Sequence, residues 1–177
     1  ISKMYSNVIQ SDLTGKEKAH LYFIMTYAKG DTSVITFQAL QNYMGHIGNY
    51  PKERTRKILR RLKEKGYIIN FSDDFNKIRI KLAYESTNEE TLLFQSKFIR
   101  LSKGFISNNM GKYTPILISI IYCNRYVETP TVLHHYVKYS GYAYNTFIKH
   151  VQDLIDTGEV IYNKDEMKYY IDKDLLK

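Results

Sequence analysis

A pattern repeated at a spacing of 92 residues constrains this chain more than any other feature. Gly66 and Gly158, Tyr50 and Tyr142, and Leu62 and Leu154 are each 92 positions apart. In "YPKERTRKILRRLKEKGYI", residues 50 to 68, Thr55, Ile58, Leu59 and Leu62 fall on one side of a helix that Gly66 ends. In "YAYNTFIKHVQDLIDTG", residues 142 to 158, Phe147, Val151, Leu154 and Ile155 do the same and Gly158 is the stop. Helical spacing followed by glycine marks a helix with one buried face. A chain that writes the same helix twice is expected to fold as two similar units.

The flanking stretches repeat as well. "LTGKEKAHLYFIMTYAKG" has Leu21, Ile24, Met25 and Ala28 at helical spacing with Gly30 and Asp31 as a stop, and "MGKYTPILISIIYCNRY" answers with Ile116, Leu117 and Ile120. In "VITFQALQNYMG" Thr36 caps a short helix with Phe37, Leu40, Tyr43 and Met44 inward. In "VETPTVLHHYVKYSG" Thr129 is the cap, Pro130 takes the first helical position, and Val132, Leu133, Tyr136 and Val137 point inward. Turns containing Gly45 and Gly48, or Ser140 and Gly141, lead into the helices described first. Each of these runs into a hairpin: "YIINF", a polar loop "SDDFN" and "KIRIKL" in one half, "EVIYNKDEMKYYI" in the other. Short extended segments near Tyr5 and Phe98 open each half.

Strand, helix, helix, helix, hairpin is the order of a winged helix. The expected fold is α+β, mainly α with small β hairpins, built as two tandem winged helix-turn-helix units related by internal duplication. The units are residues 1–84 and 98–177, joined by 85–97. The connection carries Glu85, Glu89 and Glu90, while Leu92, Leu93 and Phe94 argue that it packs, as a short helix or an extra strand, rather than swinging as a free tether.

Charge separates the two copies. Eight of the fifteen residues from Pro51 to Lys65 are Lys or Arg against Glu53 and Glu64, a net +6 in a chain whose whole charge is +8. A solvated helix laced by ion pairs expects a balance of signs. With Ile58, Leu59 and Leu62 in the core, Glu53, Lys57 and Arg60 point away and Arg56 and Arg61 flank them. A recognition helix enters the major groove by its N-terminal half, so Asn49, Tyr50, Lys52, Arg54, Arg56 and Lys57 are the candidate contacts, with Arg60 and Arg61 nearer the phosphates. Lys77, Arg79 and Lys81 alternate with Ile78, Ile80 and Leu82 along the hairpin and are expected on phosphates or in the minor groove. Asp73 and Asp74 at the hairpin tip are expected to be repelled. The second copy offers Tyr142, Tyr144, Asn145, Thr146 and Lys149, which suit phosphate or adenine but attract DNA weakly; a protein partner is the alternative for that half.

Other chemistries find little support. Cys123 is the only cysteine, so no intramolecular disulfide forms, and it reads as a small buried thiol. His134 and His135 diverge on a helix and have no further ligands at metal spacing. The glycines of "MGHIGNY" lack the phosphate-loop pattern, and most tyrosines sit at core spacing. The expectation is a non-enzyme without cofactor or metal. The longest apolar run, Pro115 to Cys123, is too short to span a bilayer, so a cytoplasmic protein without membrane insertion is expected, a monomer with two pseudo-symmetric halves.

The stretch "TFQALQNYMGHIGNYPKERTRKILRRLKEKGYI" resembles the helix-turn-helix of plasmid and phage replication initiators, with Thr55, Leu59, Leu62, Gly66 and Ile68 matching the pattern. The second copy departs from it: Phe147 stands at the place of Thr55, and Glu159 separates Gly158 from Val160. Two such halves in one small basic chain also resemble the TraN-type accessory double-stranded-DNA-binding proteins of Gram-positive conjugative plasmids, associated with type IV secretion. The resemblance implies two halves that form an internal dimer and double-stranded DNA as partner, at a transfer or replication origin or a promoter of a mobile element, with other replication or transfer proteins as further partners. The alternatives are a replication initiator or replisome organiser, and a winged-helix protein–protein interaction module.

Overall fold

The computed structural model describes residues 2–46, 48, 50–83, 97–128 and 132–176, with backbone alone for 132, 175 and 176. The expected connecting segment and the cap at Thr129 and Pro130 lie outside the described residues. The chain forms β1 (Ser2–Tyr5), α1 (Ser6–Ile9), α2 (Gly15–Thr26), β2 (Ala28–Lys29), β3 (Thr32–Thr36), α3 (Phe37–Tyr43), α4 (Lys52–Glu64), β4 (Ile68–Asp74) and β5 (Lys77–Leu82). It continues with β6 (Phe98–Leu101), α5 (Lys103–Ser107), α6 (Thr114–Tyr126), α7 (Val132–Ser140), α8 (Tyr144–Asp156), β7 (Val160–Asn163) and β8 (Lys168–Ile171), and closes in a 3-10 turn, Lys173–Leu176. This is an α+β fold with small sheets: β1–β6, β2–β3–β5–β4 and β7–β8.

Two helices form the centre. Every residue of α2 from Glu17 to Thr26 is buried, and so is every residue of α6 from Thr114 to Ile120. A helix buried on all sides has no polar stripe, which is why one apolar stripe in each understated their surroundings. The polar groups of α2 are satisfied locally. Thr14 and Glu17 form a capping box, with Glu17 N donating to Thr14 Oγ1 at 3.2 Å and Thr14 N donating to Glu17 Oε1 at 3.0 Å. Glu17 also meets Lys65 Nζ at 2.9 Å. The fully buried Lys18 donates from Nζ to Ile9 O at 2.6 Å and to Tyr139 O at 2.7 Å, and burial lowers its pKa to about 7.

The early and late parts of the chain interlock. β1 pairs antiparallel with β6, from Ser2 opposite Leu101 to Tyr5 opposite Phe98. α2 packs on α6 and on α5, and α1 packs on α6. At the start of α2, Gly15 N donates to Gly141 O at 2.9 Å; ahead of α6, Gly111 N donates to Tyr43 O at 2.7 Å. These approaches leave no room for a side chain. A Cβ on Gly15 would lie 2.3 Å from the Tyr142 ring, and one on Gly111 would lie 2.5 Å from Met44 Sδ.

Several elements differ from the sequence reading. The opening segments are strands only as far as Tyr5 and Leu101, and each turns into a short helix. β2 and β3 were not expected, and Ala28 belongs to β2 rather than to the helix before it. Of the residues expected inward on α7, Tyr136 is buried as expected, but Leu133 is 36% exposed. The rings of His134 and His135 do not diverge but meet edge-on at 5.7 Å.

Candidate nucleic-acid interface

α4 is seated by Thr55, Ile58, Leu59 and Leu62, all buried, and ends where Gly66 adopts φ +88°. The opposite side carries Lys52, Arg54, Lys57, Arg60 and Arg61, all exposed. Their surroundings differ. Arg56 is half-buried and held by Asp73, with Nη2 to Oδ2 at 2.9 Å and Nε to Oδ1 at 3.3 Å. Arg60 pairs with Glu53 at 2.5 Å, and Lys52 donates to Phe75 O at 2.6 Å. Among the described residues, Arg54, Lys57 and Arg61 have no acidic partner. At the entrance to the helix Tyr50 stacks on His46 at 3.7 Å, and the Arg54 guanidinium lies 5.6 Å over the Tyr50 ring. Asn49 lies outside the described residues.

The adjoining sheet presents a second row of cations. β5 runs between β3 and β4, with Lys77, Arg79 and Lys81 opposite Thr36, Val34 and Thr32 on one side and Asp74, Ser72 and Asn70 on the other. All three cations are exposed while Ile78, Ile80 and Leu82 are buried, so the alternation read from the sequence is present. The hairpin tip is not what its composition suggested. β4 extends through Asp74, leaving only Phe75 and Asn76 as loop. Asp73 stands opposite Ile78, in the row that faces α4, and its hydrogen bond from Arg56 keeps its carboxyl below the ordinary range. Its carboxylate is thus already paired within the protein, with Arg56. The tip is pinned at its base, because Asn76 accepts from Phe37 N at 2.8 Å and from Gln38 N at 3.1 Å.

On α8 the exposed face includes Tyr144, Asn145, Thr146 and Lys149. Tyr142 stands apart from them. Its hydroxyl donates to Lys112 O at 2.9 Å, its ring covers Gly15, and burial pushes its pKa upward. It is part of the scaffold between the two halves rather than of an open surface.

A further cationic group escaped the sequence reading. Lys97, Arg100 and Arg125 line a cavity of about 440 Å³ with Phe98 and Tyr126, and Lys3 lies 4.8 Å over Phe98. Its members are spread from position 3 to position 126, so no single stretch displays it.

Cys123 is buried and its thiol is pushed up to about 12, which makes it a poor nucleophile. Among the described residues no group of three or more His, Cys, Asp or Glu is placed to hold a metal ion, and no helix is long and apolar enough to cross a membrane. Compared with protein-family models, curated proteins and solved structures, the chain gives no match.

Proposed function

We propose that the protein binds double-stranded DNA with a sequence preference, through two tandem winged helix-turn-helix units related by internal duplication. The observation that carries this reading is the exposed cationic side of α4, where Arg54, Lys57 and Arg61 have no acidic partner among the described residues, together with Lys77, Arg79 and Lys81 exposed along β5 on the face of the hairpin turned away from α4. Cations without acidic partners are what a phosphate backbone requires, since each contact releases a condensed counterion. Arg56 serves this surface indirectly, tying the hairpin to the helix through Asp73.

Reciprocal contacts support the internal dimer. If α1 and α2 correspond to α5 and α6, then α1 on α6 and α2 on α5 are one contact seen twice. Gly15 on Gly141 and Gly111 on Tyr43 follow the same exchange, and β1 on β6 lies on the axis. An isologous interface has this form. Two related recognition helices, one basic and one polar, favour an imperfect palindrome with half-sites about one helical turn apart. An origin or promoter of a mobile element is the corresponding kind of site.

A salt titration of duplex binding tests the reading. With about six phosphates contacted, log K should fall with log salt at a slope near −5. The combined change Arg54→Ala, Lys57→Ala and Arg61→Ala should cut that slope by about 2 to 3 and leave thermal stability unchanged, because none of the three packs in the core. A slope near zero for the unaltered protein removes the proposal.

One observation favours a second reading for the C-terminal half. Ile161 and Tyr170 face each other across β7–β8 and both are exposed. That surface suits a protein partner, so a winged-helix interaction module is the alternative for this half alone.

A further inference from the structure

Both hairpin tips share a feature that the cationic surfaces do not explain. Phe75 is the first of the two loop residues between β4 and β5, and Met167 is the last loop residue before β8, 92 positions later. Each has a positive φ, 50° and 54°, and among the described residues no other non-glycine does. Side chains are strained there, and hairpin loops normally fill such places with Gly, Asn or Asp. Phe75 and Met167 are nevertheless the most exposed large apolar side chains described, at 89% and 63%. Backbone and solvent both disfavour these residues, and neither side chain gains packing in return.

The loops beneath them are braced. Phe75 O accepts from Lys52 Nζ, and Asn76 accepts from two backbone N–H groups of α3. Asn163 Oδ1 accepts from Asp165 N and Glu166 N, both at 3.0 Å. Each tip therefore holds an unpacked apolar side chain on a fixed base.

We propose that Phe75 and Met167 are paired apolar wedges that enter the minor groove of duplex DNA, part a base step there and bend the duplex. The charge around the tips selects this occupant. Lys77, Arg79 and Lys81 lead away from Phe75, and Lys164 and Lys168 flank Met167, so each apolar tip has cations beside it where a groove would bring its phosphate walls. Asp74 opposes this at the first tip, and Asp165 and Glu166 oppose it more strongly at the second. Phe75 is accordingly the stronger wedge.

The proposal rests on the DNA-binding reading, and the test separates the two. A duplex labelled at both ends, carrying a site recovered from a random pool, reports bending by energy transfer and affinity by titration. The unaltered protein should shorten the end-to-end distance. Phe75→Gly with Met167→Gly should melt at a higher temperature, because glycine relieves both strained positions, yet bind about tenfold more weakly and leave the duplex nearly straight. The salt slope should not change, since no phosphate contact is lost. Phe75→Asn with Met167→Asn, which also tolerates the left-handed conformation, should behave alike. Wild-type bending and affinity in both double variants overturns the wedges, as does a lowered salt slope; with Phe75→Gly and Met167→Gly also made singly, loss confined to Phe75→Gly overturns the role of Met167. A bound but straight duplex with a steep salt slope removes the wedges and leaves the DNA-binding reading standing. No binding of any duplex at low salt removes both.

Discussion

Lys18 concentrates a free-energy cost at one atom. Its ammonium has an ordinary pKa of 10.5 in the unfolded chain and about 7 in the folded protein, where burial lowers it against the opposing pull of Asp12. Between those values the unfolded state binds more protons, so stability should rise with pH above about 7, and the penalty is fully present below it. Between pH 7 and 9 the gain should be roughly 2 kcal/mol, read from urea unfolding at the two values. Lys18→Met should flatten the dependence. Gly141 is a second pressure point. Its φ is +77°, and an added Cβ would stand 2.5 Å from Leu13 O and 2.6 Å from Gly15 N. Gly66 has φ +88° with nothing near an added Cβ. Thermal denaturation should therefore show Gly66→Ala costing about 1 kcal/mol for backbone strain alone, and Gly141→Ala clearly more, because there backbone blocks the methyl.

Among the elements, α4 and its hairpin act as one piece through Arg56 and Asp73. Both side chains remain partly open to solvent, so Asp73→Asn should change stability little. On the DNA-binding reading proposed above it should also release Arg56 toward DNA and steepen the salt slope by about one, a result a purely structural pair would not give. Sequence showed α4 and α8 clearly, because Ile58, Leu59 and Leu62, like Phe147, Val151 and Leu154, stand out against polar neighbours at helical spacing. It showed α2 and α6 only in part, since His20, Lys18 and Ser119 are buried polar residues that interrupt the pattern. α1 and α5 are too short to show any period. The five residues of β3 are mostly β-branched, a strand signal too short to stand out beside the helix that follows; pairing with β5 makes them a strand. Composition likewise named Asp73 a tip residue, and only the register with Ile78 places it on the helix side. The cations of the candidate interface were legible as residue types, but which were already paired was decided by neighbours distant in sequence.

At the scale of the molecule, the halves depend on each other. β1 has β6 as its strand partner, and α2 is enclosed by α5 and α6 as well as by α4 and β3. A fragment of residues 1–83 would expose one side of α2 and an unpaired β1 edge. Its circular dichroism should show far less helix than its share of the intact chain. The intact protein should unfold in a single transition, coincident by tyrosine fluorescence and circular dichroism.

The pairing of β1 with β6 also sets a dose response. A site read by two separate chains that must first associate fills with the square of protein concentration when the chains are dilute. On the DNA-binding reading proposed above, the two faces are joined by peptide bonds and a shared strand pair, so occupancy of a duplex site should follow the first power of concentration at any dilution. A protein that bound in this way would still fill a site at a copy number where a dissociating pair would leave it empty.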